Sequence, residues 1–161
     1  MIINSTTKRG YMKEKKSFII MVKDKWWHEF CRHNHNGREV HSYVQKGLAP
    51  PKNASLIFFY VTKPSSHIAG YAEFIERKIG NAEEMWMKHG DESVLESKEK
   101  YLEFLSGEKK VSFIRFKNLQ EAAQPTPLNN ILVLLGVKRL SRKGFYVNEE
   151  TSNKLLASMK F

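Results

Sequence analysis

Cysteine is almost absent from this chain. Cys31 is the only one in 161 residues, so no internal disulfide can form, and a reducing compartment is favoured. No apolar run approaches the roughly 20 residues that a membrane-spanning helix needs. No signal-peptide core follows the basic N-terminus. These absences exclude a disulfide-stapled secreted domain and predict a soluble, cytoplasmic protein without a membrane partner.

Acidic residues are also scarce. Seventeen Asp and Glu stand against 27 Lys and Arg, which gives a net charge of +10. An excess of this size favours polyanionic partners such as nucleic acid, although a scattered basic surface is the simpler alternative. The apolar content of 41% suffices for one core. We therefore expect a flexible basic tail over residues 1–16, with Met12 as a second candidate start, and a single domain over residues 17–161.

A central hairpin is the strongest structural prediction. Leu56–Val61 is an unbroken run of β-branched, aromatic and aliphatic residues, which is typical of a buried strand. Residues 62–66 are rich in turn formers, and His67–Phe74 resumes a strand pattern. Gly70 in mid-strand indicates a bulge or a close backbone approach. Two antiparallel strands at the centre of a sheet follow from this pattern.

The other elements are shorter and alternate in type. Residues 124–127 are expected to form an extended loop, and Ile131–Leu135 is compatible with either strand or helix. Five or six short strands interrupted by short helices predict an α+β fold, a small mixed, mainly antiparallel β-barrel with short peripheral helices. The expected strands are 17–22, 40–45 and 111–116, and the expected helices are 24–32, 81–90, 97–107 and one opening at Asn148.

The order of these segments resembles that of the PUA-like superfamily. The segments are SFIIMV, LIFFYVTKP, IAGYAEF, NAEEMW and VSFIRF, and the resemblance covers residues 17–116. That superfamily includes the PUA, ASCH, EVE and YTH domains, and the nearest likeness within it is to an uncharacterised archaeal family. The resemblance implies a PUA-like β-barrel that handles RNA or modified bases.

One loop departs from the pattern of ASCH domains. They carry Gly-x-Lys-x-x-Glu after the first helix, and their amidohydrolase-type members use a lysine and a threonine of that loop with a glutamate of the later strand. Here Gly37 matches, but Glu39 stands in place of the lysine and Ser42 in place of the glutamate. Glu73 matches the strand glutamate. This departure argues against lysine-dependent catalysis.

The resemblance and the charge together predict an RNA-binding module. One of the neighbouring indoles Trp26 and Trp27 would stack on a base, unless both pack in the core. Lys23, Arg38 and Lys63 are predicted phosphate contacts, because the first helix and the hairpin of a barrel can meet around one cleft. The predicted ligand is a modified or flipped-out nucleotide of an RNA, with tRNA and rRNA as candidates.

Three further features leave alternatives open. Glu73 would accept a hydrogen bond from a base edge or pair with a nearby lysine. The basic segment 138–143 would contact phosphate or remain a solvated charge run. A cluster of histidines around the lone cysteine lacks the usual ligand spacing of zinc sites, so we expect neither metal nor cofactor. Its members are His28, Cys31, His33, His35 and His41.

Two rival functions remain beside RNA binding. A hydrolase acting on a modified nucleoside or amide would need Ser42, His41 and Glu73 to converge. A protein-interaction adaptor would instead expose an apolar aromatic patch. The rings available for such a patch are Trp26, Tyr43 and Phe145. We expect a binding protein rather than an enzyme.

Overall fold

A six-stranded mixed sheet forms the frame of the protein, and the α+β class is confirmed. The computed structural model describes residues 16–160. Its strands are β1 (Ser17–Val22), β2 (Val40–Lys46), β3 (Leu56–Val61), β4 (His67–Asn81), β5 (Lys110–Pro127) and β6 (Phe145–Val147). Its helices are α1 (Asp24–His35), α2 (Ala82–His89), α3 (Lys98–Leu105), α4 (Leu128–Leu135) and α5 (Glu149–Met159), with a 3₁₀ turn at Gly90–Glu92. The spatial order of the strands is β2-β5-β4-β3-β1-β6.

The predicted closed barrel is wrong, because the sheet stays open between β1 and β2. In the described chain β2 pairs with β5 alone and β6 with β1 alone, so β2 and β6 are the sheet edges. The short β6 covers only Ser17–Ile19 of β1. Across the remaining gap, the Tyr43 hydroxyl donates a hydrogen bond to the Met21 carbonyl at 3.0 Å. We call this gap, between residues 20–22 of β1 and 43–45 of β2, the seam.

The predicted hairpin is confirmed as the antiparallel pair β3 and β4. The pairing of β4 with β5 shifts register between Ile68 and Gly70, so a bulge lies where the glycine indicated one. A Cβ atom at Gly70 would lie 2.1 Å from the Gln120 carbonyl oxygen and 2.8 Å from the Trp27 ring. The bulge and the close approach are therefore both present.

Strand lengths differ most from the sequence prediction. β4 continues to Asn81 because its second half pairs with the start of β5. The predicted loop at residues 124–127 is instead the end of β5, where Pro127 lies opposite His67. A proline is tolerated at the end of such a strand, where one fewer ladder donor is needed. The ambiguous segment Ile131–Leu135 belongs to helix α4.

Side-chain caps begin three of the helices where the sequence placed them. Asn81 accepts from the Glu83 and Glu84 amides, Ser97 from Lys100, and Asn148 from Thr151. Such caps satisfy amides that have no partner within the helix. Helix α1 differs, because Lys23 occupies its N-cap position without a side-chain bond, and Asp24 is the first helical residue.

The core lies on both faces of the sheet. Helix α1 packs Trp27 and Phe30 against one face, and α4 and α5 pack Ile131 and Leu155 against the other. A third cluster forms where α2 and α3 cover the far end, around Tyr101. No helix within residues 16–160 is long and apolar enough to cross a membrane. This arrangement leaves the seam and the β3–β4 turn between α1 and α4.

Candidate nucleic-acid interface

A cavity of about 580 Å³ opens at one end of the seam. Five parts of the chain surround it: the end of β1, Tyr43 of β2, the β3–β4 hairpin, helix α4, and the loop of residues 138–142. We call it the main cleft. Its position follows from the open sheet, because the uncovered end of β1 leaves a gap that a closed barrel would fill.

The floor of the main cleft is apolar. Met21 and Tyr60 reach it from β1 and β3, Leu128 and Leu132 from α4, and Leu140 from the following loop. All but one of them are only partly buried, and Tyr60 retains 7% exposure. A concave apolar surface of this size is typical of a site that takes a small ligand or one unit of a polymer.

Every charged residue that lines the main cleft is a cation. Its charged residues are Lys23, Lys63, Lys138, Arg139 and Arg142. All five are exposed, and no aspartate or glutamate lines the cavity. None of the five forms an ion pair with a carboxylate of residues 16–160. Their positive potentials therefore add at the mouth of the cavity instead of being neutralised locally.

Tyr43 is the fixed wall between the floor and the seam. Its ring packs edge-on against Phe30 at 5.8 Å between centroids, and its hydroxyl is held by the Met21 carbonyl. Burial raises the pKa of Tyr43, so the phenol stays neutral and continues to donate at physiological pH. The bond holds the two unpaired strand segments at a constant separation.

Two of the predicted phosphate contacts meet in the main cleft, and the third does not. Lys23 and Lys63 both line it. Arg38 lines a different cavity, beside Lys117 and Gln120, and its Nη1 donates to the Ser93 carbonyl at 2.8 Å. The side chain of Arg38 therefore already holds the 3₁₀ region in place.

The two tryptophans occupy different environments, and neither lines the main cleft. Trp27 retains 7% exposure and packs against Phe59 at 5.3 Å, which is the core alternative of the prediction. Trp26 lines another cavity of about 530 Å³ with Phe104, and Lys25 Nζ lies 4.5 Å from its ring centroid. Three glutamates and two lysines line that cavity, so it lacks the net positive charge that a polyanion requires.

Glu73 also lies outside the main cleft. It is exposed on β4, accepts a hydrogen bond from Asn118 Nδ2 at 2.7 Å, and lies opposite Lys117 in the sheet ladder. Its hydrogen-bond partner is Asn118 and not a lysine, so the alternative interpretation of Glu73 as a carboxylate paired with a lysine also stays a prediction. A base-edge contact for Glu73, like the stacking roles of the tryptophans, stays a prediction.

The sequence prediction missed part of the cleft. The sequence is compatible with either a phosphate contact or a solvated charge run at residues 138–143, and the structure places Lys138, Arg139 and Arg142 beside Lys23 and Lys63. The glycines that flank this segment are the pattern that could have identified a loop. No pattern in the sequence indicates that α4 supplies part of the floor, because the apolar run of this segment fits a strand as well as a helix.

The residues of the hydrolase hypothesis do not converge. Ser42 and His41 are consecutive in β2, so their side chains point to opposite faces of the sheet. Ser42 Oγ donates to Glu92 Oε1 at 2.8 Å, whereas His41 stacks on Phe116 and has Nε2 3.3 Å from Asn34 Oδ1. Both side chains are fully buried. They form no nucleophile–base pair.

The buried His41 predicts an acid-sensitive fold. Burial, with Arg38 and His33 adding positive charge, lowers the pKa of His41 to about 4. An unfolded imidazole binds a proton near pH 6.5, so falling pH favours the unfolded chain until the folded imidazole is also protonated near pH 4. We expect His41 to remove about 3 kcal/mol of stability over that window.

Chemical denaturation at a series of pH values measures this effect. His41→Gln should lose most of the acid-dependent decline, although its stability at neutral pH will be lower. His28→Gln, which alters an exposed histidine, should retain the decline. An identical pH profile for wild type and His41→Gln would contradict the assignment.

The histidine–cysteine cluster does not assemble as a ligand set. Burial, with Glu121 beside it, raises the pKa of the Cys31 thiol to about 12, so the thiolate that zinc binds is strongly disfavoured. His35 pairs with Glu121 instead. Within residues 16–160 no three His, Cys, Asp or Glu side chains are placed to hold a metal ion. The expected independence from metal stays a prediction.

Comparisons with known proteins identify the fold. No protein-family model and no curated protein matches the sequence. The structure is similar to ASCH from Zymomonas mobilis, with a TM-score of 0.69, 17% identity, and coverage of 88% of this chain and 94% of that one. A serine-to-alanine mutant of that protein has a TM-score of 0.72 and 17% identity, with 89% of this chain and 96% of that one covered. A tyrosine-to-phenylalanine mutant has a TM-score of 0.71 and 17% identity, with coverage of 88% and 96%.

These likenesses define the class of the fold. The chain shares the fold of the ASCH protein of Zymomonas mobilis, and ASCH domains are among those that the sequence resemblance named. At 17% identity the likeness concerns architecture, and function has to be argued from the side chains of this chain. The archaeal affiliation stays a prediction.

Proposed function

We propose that the protein binds single-stranded RNA in the main cleft, with one nucleotide inserted and its flanking phosphates on the cationic rim. The observation that carries this proposal is the combination of five rim cations with an apolar floor in one cavity. Phosphate groups need the first feature and an unstacked base needs the second. A flipped-out or modified nucleotide of a tRNA or rRNA would present both.

The geometry supports base insertion at the floor rather than at the predicted tryptophans. Tyr43 and Tyr60 provide aromatic surface, and the α4 leucines form the opposite wall. Base–aromatic contact tolerates any base, so discrimination has to come from polar groups at the edge of the cavity. Thr62, Ser66 and Ser141 supply hydroxyls there.

The rival hypotheses gain no comparable support. The hydrolase residues lie on opposite sheet faces, and the rings of the adaptor hypothesis are dispersed. Trp26 borders the cavity of mixed charge beside Phe104, Tyr43 lines the main cleft, and Phe145 is partly buried in the second core cluster. No contiguous aromatic patch of the described chain carries an adaptor function.

Salt dependence tests the proposal directly. The logarithm of the affinity for eight-nucleotide single-stranded RNAs should fall linearly with the logarithm of salt concentration. The slope should be about −0.7 for each phosphate contacted, hence up to about −3.5 if all five cations take part. Fluorescence anisotropy with labelled homopolymers at several salt concentrations measures it. Absence of binding at low salt would overturn the proposal.

Two single substitutions then decide which cavity is the interface. Lys63→Ala should weaken binding to every sequence and flatten the slope by about 0.7. Arg38→Ala removes the same charge from another cavity and should leave the slope unchanged if the main cleft is the site. The opposite pattern would place the interface beside Arg38, where the sequence prediction included it.

A further inference from the structure

A fourth cavity, of about 300 Å³, lies beside the seam. It is bordered by Ile20 and Met21 of β1, by Gln45 of β2, and by the loop that follows β2. We call it the side cavity. Met21 and Arg142 line both it and the main cleft, so the two cavities adjoin at those residues. Arg142 therefore stands between two concave sites.

The side cavity has the same chemical character as the main cleft. Its charged residues are Arg142 and Lys143, and no carboxylate lines it. Leu48 contributes an apolar side chain that is 65% exposed. Gln45 adds an amide that can both donate and accept a hydrogen bond. An apolar surface, a polar edge and cations are again combined.

The loop that presents Leu48 is held rigidly. The Gly47 amide donates to the Lys110 carbonyl at 2.8 Å, and Ser112 Oγ donates to the Gly47 carbonyl at 2.6 Å. The Ala49 amide donates to Ser112 Oγ at 3.0 Å, and Arg77 Nη1 to the Ala49 carbonyl at 2.9 Å. Bonds on both sides of Leu48 fix its backbone while leaving its side chain in solvent. Binding there would require little ordering of the loop.

We propose that the side cavity is a second nucleoside subsite, and that Arg142 holds the phosphate that links it to the nucleotide in the main cleft. This inference rests on the proposed RNA-binding function. A single strand repeats as nucleoside, phosphate, nucleoside, and the seam offers cavity, arginine, cavity in the same order. The protein then selects RNA in which two consecutive nucleotides are unpaired, because a base-paired nucleoside cannot enter either cavity.

Small ligands separate the contributions of the two subsites. For each of the four bases, calorimetry would compare the 5′-monophosphate, the 3′,5′-bisphosphate and the 5′-phosphorylated homodinucleotide. The first step adds a second phosphate. The second step adds a second nucleoside and converts that phosphate from a monoester to a singly charged diester, as it is in RNA. Because the second phosphate adds a charge-assisted hydrogen bond, the bisphosphate should bind about 10-fold more tightly than the monophosphate. Apolar burial in the side cavity should add a further ~5-fold for the dinucleotide.

Three variants assign these gains to residues. Arg142→Ala should abolish the gain from the second phosphate. Leu48→Ala, which alters a residue lining the side cavity and not the main cleft, should abolish the gain from the second nucleoside and leave monophosphate binding intact. Lys88→Ala, which removes an exposed charge lining none of the cavities described above, should preserve both gains.

The outcomes distinguish this inference from the proposed function. If eight-nucleotide RNA and monophosphates bind but the second nucleoside adds nothing, the side cavity is not a subsite. The same conclusion follows if Leu48→Ala keeps the full dinucleotide gain. If no ligand binds, the octanucleotides included, the proposed function fails as well.

Discussion

Replacing Lys63 and Arg139 together by glutamate should weaken RNA binding by about 100-fold or more, without loss of the fold. Each substitution removes a phosphate contact worth ~1.5 kcal/mol and places a negative charge at the rim. Both side chains are exposed and neither takes part in an ion pair or a core cluster of the described chain. The two substitutions therefore remove no contact that stabilises the folded state. Anisotropy titration measures the affinity, and a thermal midpoint close to that of wild type verifies the fold.

The matched control changes the same formal charge elsewhere. Lys88→Glu/Lys109→Glu alters two exposed lysines that line none of the cavities described above. If net charge alone drives binding, this pair will weaken it as much as the cleft pair does. Equal losses would therefore show a diffuse electrostatic surface, which was the simpler alternative for a chain of charge +10. A loss confined to Lys63 and Arg139 supports a defined site.

The sequence predicted local structure well and closure of the sheet badly. Caps at Asn81, Ser97 and Asn148, and the bulge at Gly70, depend on side chains and backbone within a few residues, so local chemistry indicates them. Whether β1 and β2 join depends on how much of β1 is covered by β6, which is a contact between the two ends of the chain. No periodicity within β1 contains that information.

The site was predicted in part for the same reason. Lys23 follows β1 and Lys63 lies in the β3–β4 turn, and the sequence predicts the ends of both strands. Because β1 and β3 pair in parallel, the two residues lie at the same end of the sheet. The cations of residues 138–143 required knowing that α4 folds back over the sheet and delivers the following loop to the same opening. Residue type alone also could not distinguish Trp26 from Trp27, since both fit the apolar face of α1.

The two tryptophans give the largest expected contrast in stability. Trp27→Ala should lower the free energy of unfolding by ~3–5 kcal/mol, because it removes a buried indole that packs on Phe59 and leaves a cavity below Gly70. Trp26→Ala changes the same residue type one position earlier in the same helix. Its indole is partly exposed and lies under Lys25, so a decrease of about 1 kcal/mol is expected. Urea denaturation of both variants measures the difference.

The same pair tests where the RNA lies. Neither indole lines the main cleft, so the folded fraction of each variant should bind eight-nucleotide RNA with wild-type affinity and salt slope. Removing a ring that stacks on a base would instead weaken binding by ~1–3 kcal/mol while the slope stayed the same. If Trp26→Ala shows that weakening, the base enters the cavity beside Phe104 and the main cleft is not the nucleotide site. If Trp27→Ala keeps full stability, the packing of α1 against the sheet that positions Lys23 at the rim is wrong.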